Sequence, residues 1–324
     1  MPQAENFREV SFTSFASRQR NLDEIRIKKI MTMCGIAVCV ALKDSEQDKQ
    51  YVEKSIQLLK HRGPDGYKVL AINAHGPSIF IGHSRLAIVG SDDASQPLTW
   101  KKKNHHFHLV HNGEIYNYKD LRDQLIAEGD CKGDDFKTES DGEVLLACLA
   151  NRGIEWTLQN IRGMFAFVIA ETRVTEGIEH VDKVFLCRDA FGIKPLCYSF
   201  NGHQDKLFIC SEVQAMPHDG FTDIQDVLPS SFISISFQLS KHSWSIREHK
   251  YEKDYYPSTP SKAQSNLSHN QQISEIRSRL IDAVSTRIPE AVRFAVLLSG
   301  GLDSSLIARL AGRSPPTWFY FPKV

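Results

Sequence analysis

The sequence predicts an α+β domain of two β-sheets sandwiched between helices, followed by an incomplete α/β nucleotide-binding domain. Three observations carry that reading. Up to about residue 256 the strand-like apolar runs, among them Met164–Ala170, Val184–Cys187, Leu207–Cys210 and Phe232–Phe237, do not alternate with helices, which favours packed sheets over a βα-alternating one. Residues 257–272, rich in Pro, Ser, Thr, Gln and Asn, read as a linker. Beyond it the apolar run Phe294–Leu298 enters Ser299-Gly300-Gly301-Leu302-Asp303-Ser304-Ser305 and then a helical stretch, Leu306–Ala311.

Lys plus Arg and Asp plus Glu both number 39 in 324 residues, so no global charge draws the chain to nucleic acid or to a membrane surface. The longest apolar run, Met164–Ala170, is too short to span a bilayer. Seven cysteines, an odd count without a CxxC pair, fit reduced thiols in the cytosol. Residues 1–33 read as a leader that is absent from or removed in the active protein. They are polar and carry Glu5, Glu9, Asp23 and Glu24 among their basic residues, unlike acid-poor transit peptides; an untranslated leader or a propeptide fits better.

Met33-Cys34-Gly35-Ile36, with the apolar run Ala37–Leu42 behind it, has the form of a catalyst at a chain start. With Met33 trimmed, Cys34 carries a thiol nucleophile and an amine of pKa about 8 on one residue. The other reading is a buried cysteine opening a strand. Val52, Ile56 and Leu59 then recur at helical spacing, and His61-Arg62-Gly63-Pro64-Asp65-Gly66 is a tight turn. Ile79–Ile81 and Leu86–Val89 read as strands, and Lys101-Lys102-Lys103 as a solvated hairpin tip.

His105, His106, His108 and His111 invite a metal, but alternation along a strand splits His106 and His108 from His105 and His111. No acidic or cysteine ligand joins them at a zinc spacing, so no metal is expected in this domain. Asn112-Gly113-Glu114 follows, then a helix N-capped by Asn117. Ser140 and Glu143 make a capping-box pattern ahead of the helix Val144–Leu149. After the linker, Ile273, Ile276, Leu280, Val284 and Ile288 recur at helical spacing. In the loop that follows, Gly300 and Gly301 permit close approach of a phosphate, Ser299 and Ser304 add hydroxyl donors, and Asp303 could hold Mg²⁺ or polarise a water. The G-K-[ST] ending of a Walker A loop is missing.

With both ends in view, the chain resembles the glutamine-dependent asparagine synthetase family. The matching stretches are Met33–Ile36, His61–Gly66, Ser84–Val89, Gln96-Pro97-Leu98, Asn112–Tyr118, Asp141 with Glu143, Arg162–Ala166, Arg188–Leu196, Ser211-Glu212 and Ser299–Ser305. The resemblance implies a class II, N-terminal-nucleophile amidotransferase domain over 34–256 and the start of an ATP-pyrophosphatase-type synthetase domain over 273–324. It further implies that Cys34 attacks the side-chain amide of glutamine and that Asn112 and Gly113 form the oxyanion hole. Arg85, Glu114, Asp141 and the carbonyls of Ile88 and Val89 hold the glutamine, while Ser299, Gly300, Gly301, Asp303 and Ser304 receive the pyrophosphate of ATP. Aspartate is the acceptor, ATP with Mg²⁺ drives the second half-reaction, and the assembly is a cytosolic homodimer.

Two departures qualify this reading. Residues ahead of Cys34 replace its amine by an amide. The segment from 273 holds a single strand with no neighbour to pair with, and Arg313–Phe321 departs from the family pattern, so asparagine formation by this chain is not expected. A stand-alone glutaminase subunit and a catalytically silent glutamine-binding relative remain open alternatives.

Overall fold

The computed structural model describes residues 33–43, 46–72, 74–86, 95–238, 243–251, 267–288, 294–312 and 317–320. The sandwich begins with β1 (Gly35–Ala41), α1 (Glu46–Leu58), β2 (Gly66–Ile72), β3 (Ser78–Arg85), β4 (Leu98–Lys102) and β5 (His105–Ile115). Two helices follow, α2 (Tyr118–Ala127) and α3 (Asp141–Asn160), then β6 (Gly163–Thr175) and β7 (Ile178–Arg188). The remaining strands are β8 (Cys197–Phe200), β9 (Lys206–Cys210), β10 (Gln225–Asp226), β11 (Ser231–Gln238) and β12 (Ser243–Lys250). They make two six-stranded sheets, β10-β8-β9-β1-β3-β2 and β12-β11-β7-β6-β5-β4, antiparallel throughout.

Period-two alternation explains the layers. Along β1, Ile36, Val38 and Val40 enter the core between the sheets with Val110, Val168, Leu186 and Ile209, whereas Ala37 and Cys39 face Val52, Ile56 and Leu59 beside α1. On the far side, Leu121 and Leu125 of α2 and Val144–Leu149 of α3 cover Leu109, Phe165 and Phe167. Each residue of β1 is buried, as a strand with a sheet on one face and a helix on the other must be.

Several expectations are corrected. The strand expected over Ile79–Ile81 extends over Ser78–Arg85; of the strand expected over Leu86–Val89, Leu86 is irregular and 87–89 lie outside the described residues. Asn117 sits at the start of α2 without capping it, because its side chain instead bonds Asn160 O and Arg162 N at 3.0 and 2.8 Å. Only half of the capping box forms. Ser140 Oγ accepts from Glu143 N, but the Glu143 carboxylate turns to Lys137 N and Thr138 N.

The histidine strand also differs from its expectation. His106 and His108 do share a face of β5, yet an acid joins them from far along the chain. A β-bulge at Glu171/Thr172 shifts β7 by one residue, so that Val181 and Glu179 come onto the side where Val184 and Leu186 lie. Glu179 Oε1 then stands 2.9 Å from His106 Nδ1 and 3.8 Å from His108 Nε2. No local spacing rule reaches across that separation.

The C-terminal segment contains α4 (His269–Ser285), β13 (Phe294–Leu297), α5 (Leu302–Ala311) and β14 (Thr317–Tyr320). The helix starts at His269, four residues before the expected position 273, under a complete capping box from Ser268 and Gln271. The strand at 294 is not alone: β14 pairs with it in parallel, Phe294↔Thr317 to Leu297↔Tyr320. The aromatic stretch that departs from the family pattern therefore supplies a second strand, with α5 as the crossover between two parallel neighbours.

Asp189, buried in the turn after β7, holds that turn against β6. Its carboxylate accepts from Phe191 N, Ile193 N and Lys194 N, each at 3.0 Å, and from Phe165 N at 3.2 Å. Replacing it with alanine leaves these amides without their acceptor, at a cost of about 3 kcal/mol or more. Urea unfolding of Asp189→Ala should register that loss, and a change below about 1 kcal/mol would contradict the assignment.

Candidate active site

The site lies at one end of the sandwich, where several strand ends meet. The register Gly35↔Ser84 leaves Cys34 and Arg85 together at the end of the β1–β3 pair. The close pass needs Gly35, since a Cβ there would stand 2.4 Å from Ser84 Oγ and 2.8 Å from Leu59 Cβ. At the end of β5, Asn112, Gly113 and Glu114 pair with Ala166, Phe165 and Met164. Gly113 has φ +147°, and a Cβ would meet Met164 O at 2.0 Å, so only glycine fits. Asp141, first residue of α3, accepts from Ile115 N and Gly142 N at 2.9 Å each, which ties the helix to the end of β5.

Around Cys34 the contacts are specific. Leu86 N donates to its Sγ at 3.3 Å. Arg62 Nε donates to its carbonyl oxygen at 3.1 Å. The Asn112 amide satisfies its neighbours when its NH₂ donates to that same carbonyl and its oxygen accepts from Arg62, both at 3.3 Å. Arg62, nearly buried, closes the network on Glu212 at 2.5 Å. Lys194, also buried, donates from Nζ to Met33 Sδ at 3.0 Å.

The electrostatics follow from burial. Burial pushes the Cys34 thiol up to about 11; the Leu86 N–H opposes this, and Glu114 and Asp141 add to it. Glu114 is raised by burial and then by Asp141, with Lys194 pulling the other way. Asp141 is also raised by burial, against the amides of Ile115 and Gly142. Those amides favour the charged form of Asp141, so the proton of this pair belongs on Glu114. Burial lowers Lys194, opposed by Glu114. Burial would raise Glu212, but its hydrogen bond and charge contact with Arg62 outweigh that and hold it low. His83 and His111, pushed down to about 3 by burial, are neutral at physiological pH.

The structure thus brings Cys34, Arg85, Asn112, Gly113, Glu114 and Asp141 to one place. Ile88 and Val89 lie outside the described residues. Ser299, Gly300, Gly301, Asp303 and Ser304 belong to a different place, the β13–α5 turn, where they are largely exposed and Ser299 Oγ lies 3.0 Å from Ser304 Oγ. Three site residues carried no role in the sequence reading: Arg62, Lys194 and Glu212. Each lies in a stretch that matches the family without a role assigned to it. Around Lys194 the burial runs against residue type, because the lysine is buried while its apolar neighbours Phe191 and Ile193 are exposed.

Comparison with known proteins gives the family. A family model of the glutamine amidotransferase domain matches residues 33–247. The chain belongs to the class II glutamine amidotransferase family. An asparagine synthase family model matches residues 275–319. Among curated relatives of this amidotransferase, the glutamine-hydrolysing asparagine synthetase of Gallus gallus is 32% identical over 289 residues, covering 85% of this chain and 48% of the relative. Asparagine synthetase B of Escherichia coli is 32% identical over 286 residues, covering 86% and 44%. The chain spans about half the length of the curated relatives it matches. The glutamine phosphoribosylpyrophosphate amidotransferase structure from B. subtilis shares the fold, with a TM-score of 0.52 at 19% identity, covering 89% of this chain and 65% of that one.

The raised Glu114 gives a signed prediction. The native state holds this proton more firmly than the unfolded chain, whose glutamate titrates near 4.5. As pH rises past 4.5, wild-type stability should therefore fall relative to Glu114→Gln, until Glu114 itself ionises. Urea midpoints of the two proteins between pH 4 and 8 check this, and a wild-type-minus-variant difference that stays constant or rises with pH would contradict the raised carboxyl.

Proposed function

We propose that the chain releases ammonia from glutamine at Cys34 for the ATP-dependent amidation of aspartate to asparagine. The observation that carries the reading is the convergence on Cys34 of Asn112, a glycine at 113 that tolerates no side chain, and the Glu114–Asp141 pair. In this mechanism the thiol gives its proton to the α-amine of Cys34 and attacks the glutamine amide carbon. Asn112 Nδ2 and Gly113 N–H stabilise the oxyanion. The collapsing intermediate expels ammonia, and water then splits the glutamyl thioester. Arg85 would pair with the substrate α-carboxylate through two parallel hydrogen bonds, and Glu114 and Asp141 would face its α-amine.

Two features support the requirement for a free amine. The thiol is pushed up to about 11, so it needs a base at hand. Met33 also places its sulfur against Lys194 Nζ, within the group of charges that a substrate would meet. Loss of residues 1–33 would supply the base and free Lys194 together.

For the second half-reaction, Ser299, Gly300, Gly301 and Ser304 would cradle the pyrophosphate of ATP, and Asp303 would hold Mg²⁺. Gly300 has φ +86° with open space where a Cβ would stand, which suits close approach of an anion. ATP bound there would activate the aspartate side-chain carboxylate as an acyl-adenylate with release of pyrophosphate, and ammonia would attack its carbonyl carbon with AMP as the leaving group.

The test compares protein that starts at Cys34 with protein that retains residues 1–33. The first should hydrolyse glutamine and be alkylated at Cys34 by a glutamine-like diazoketone. The second should be slower by about 10²–10⁴, and Cys34→Ala inert. Equal rates for the two starts, or hydrolysis by Cys34→Ala, would overturn the mechanism. Hydrolysis indifferent to ATP and aspartate, with no asparagine formed, would favour a stand-alone glutaminase.

A further inference from the structure

We propose that His106, His108 and Glu179 form a binding site for a divalent transition-metal ion, Zn²⁺ by their donor chemistry, separate from the amidotransferase site. Two imidazoles and one carboxylate are a donor set that zinc accepts, with the fourth position left open. Their donor atoms all lie within 4.8 Å of one another. A tetrahedral ion bound at about 2.0–2.1 Å spaces its ligands roughly 3.3 Å apart. The observed 2.9 Å and 3.8 Å from Glu179 Oε1 to the two histidines bracket that spacing.

A second observation points to a ligand independently of the cluster. His108 is nine-tenths buried, and its Nε2 has no hydrogen-bond partner. The other ring nitrogen, Nδ1, is 3.0 Å from Thr99 Oγ1. With Thr99 accepting the Nδ1 proton, Nε2 carries a bare lone pair directed at Glu179, the tautomer a metal requires. Glu179 is itself oriented by a short hydrogen bond from Thr172 Oγ1. Each of these two ligands therefore has an outer partner that fixes its direction.

The place is distinct from Cys34. His108 and His106 lie four and six residues along β5 from Asn112, roughly 13 and 20 Å at strand spacing. A second grouping, His105, Glu171 and Asp182, falls on the opposite face of the strand. It is the weaker candidate, because Asp182 is already paired with Arg173 at 2.9 Å and that cation would repel a metal.

The test is calorimetric titration of Zn²⁺ into the full chain, free of any purification tag. The expected result is one ion per chain, weakened at least about tenfold by His108→Gln and by Glu179→Gln and unchanged by His105→Asn. Thr99→Val, which leaves all three ligands in place, should weaken binding by about tenfold. It keeps the proposal testable should a ligand variant fail to fold. Cobalt(II) in place of zinc should give the visible absorption of a four-coordinate ion in the wild type and lose it in His108→Gln. Absence of stoichiometric binding, or binding equal to wild type in His108→Gln, Glu179→Gln and Thr99→Val, would overturn the proposal. Loss confined to His105→Asn would place the ion on the other face and overturn it equally.

Discussion

A single buried guanidinium fixes the geometry on which the site depends. Arg62 reaches out of a turn formed by Gly, Pro and Asp, lies almost wholly out of water, and touches the Cys34 carbonyl, the Asn112 amide and the Glu212 carboxylate. Desolvating such a charge costs several kcal/mol, and the ion pair with Glu212 offsets that only if the remaining donors are also used. They are used on the backbone of Cys34 itself. The same contacts that satisfy the buried cation therefore position the nucleophilic residue relative to β5. Stability and placement cannot be separated here, because removing Glu212 leaves the Arg62 charge buried without its acid partner.

Around that anchor the sandwich does what its alternation requires. A strand hydrophobic on both faces, β1, needs a sheet on one side and a helix on the other, and it carries Cys34 at its first turn. The glycines at 35 and 113 let backbone segments pass at distances no side chain permits. The carboxylates of Glu114 and Asp141 and the amine of Lys194 then share a small desolvated volume, where each one's charge state depends on the others. The Asp189 turn, held by four amides, is what carries Lys194 into that volume.

Much of this was legible in the sequence, for physical reasons that differ by element. The two-sheet architecture follows from apolar runs with little regular helix between them, and Cys34, Asn112, Gly113, Glu114 and Asp141 stand in motifs dense enough to locate one site. What escaped was long-range. Glu179 reaches His106 only because a bulge re-phases β7, and Lys194 is buried by a turn whose flanking apolar residues point outward. Arg62 stands in a tight turn, and turn chemistry alone does not show that its side chain is buried. The pairing of β13 with β14 is hard to read from the sequence because the stretch at 317–320 departs from the family pattern, although its aromatics have strong strand preference.

Catalysis turns on the sulfur nucleophile having its own terminal nitrogen as base. The most direct measurement is the intact mass of the protein, purified from its source by following glutamine hydrolysis. The mass should correspond to a chain whose first residue is Cys34. Active protein with Met33 or any earlier residue still attached would contradict the central claim.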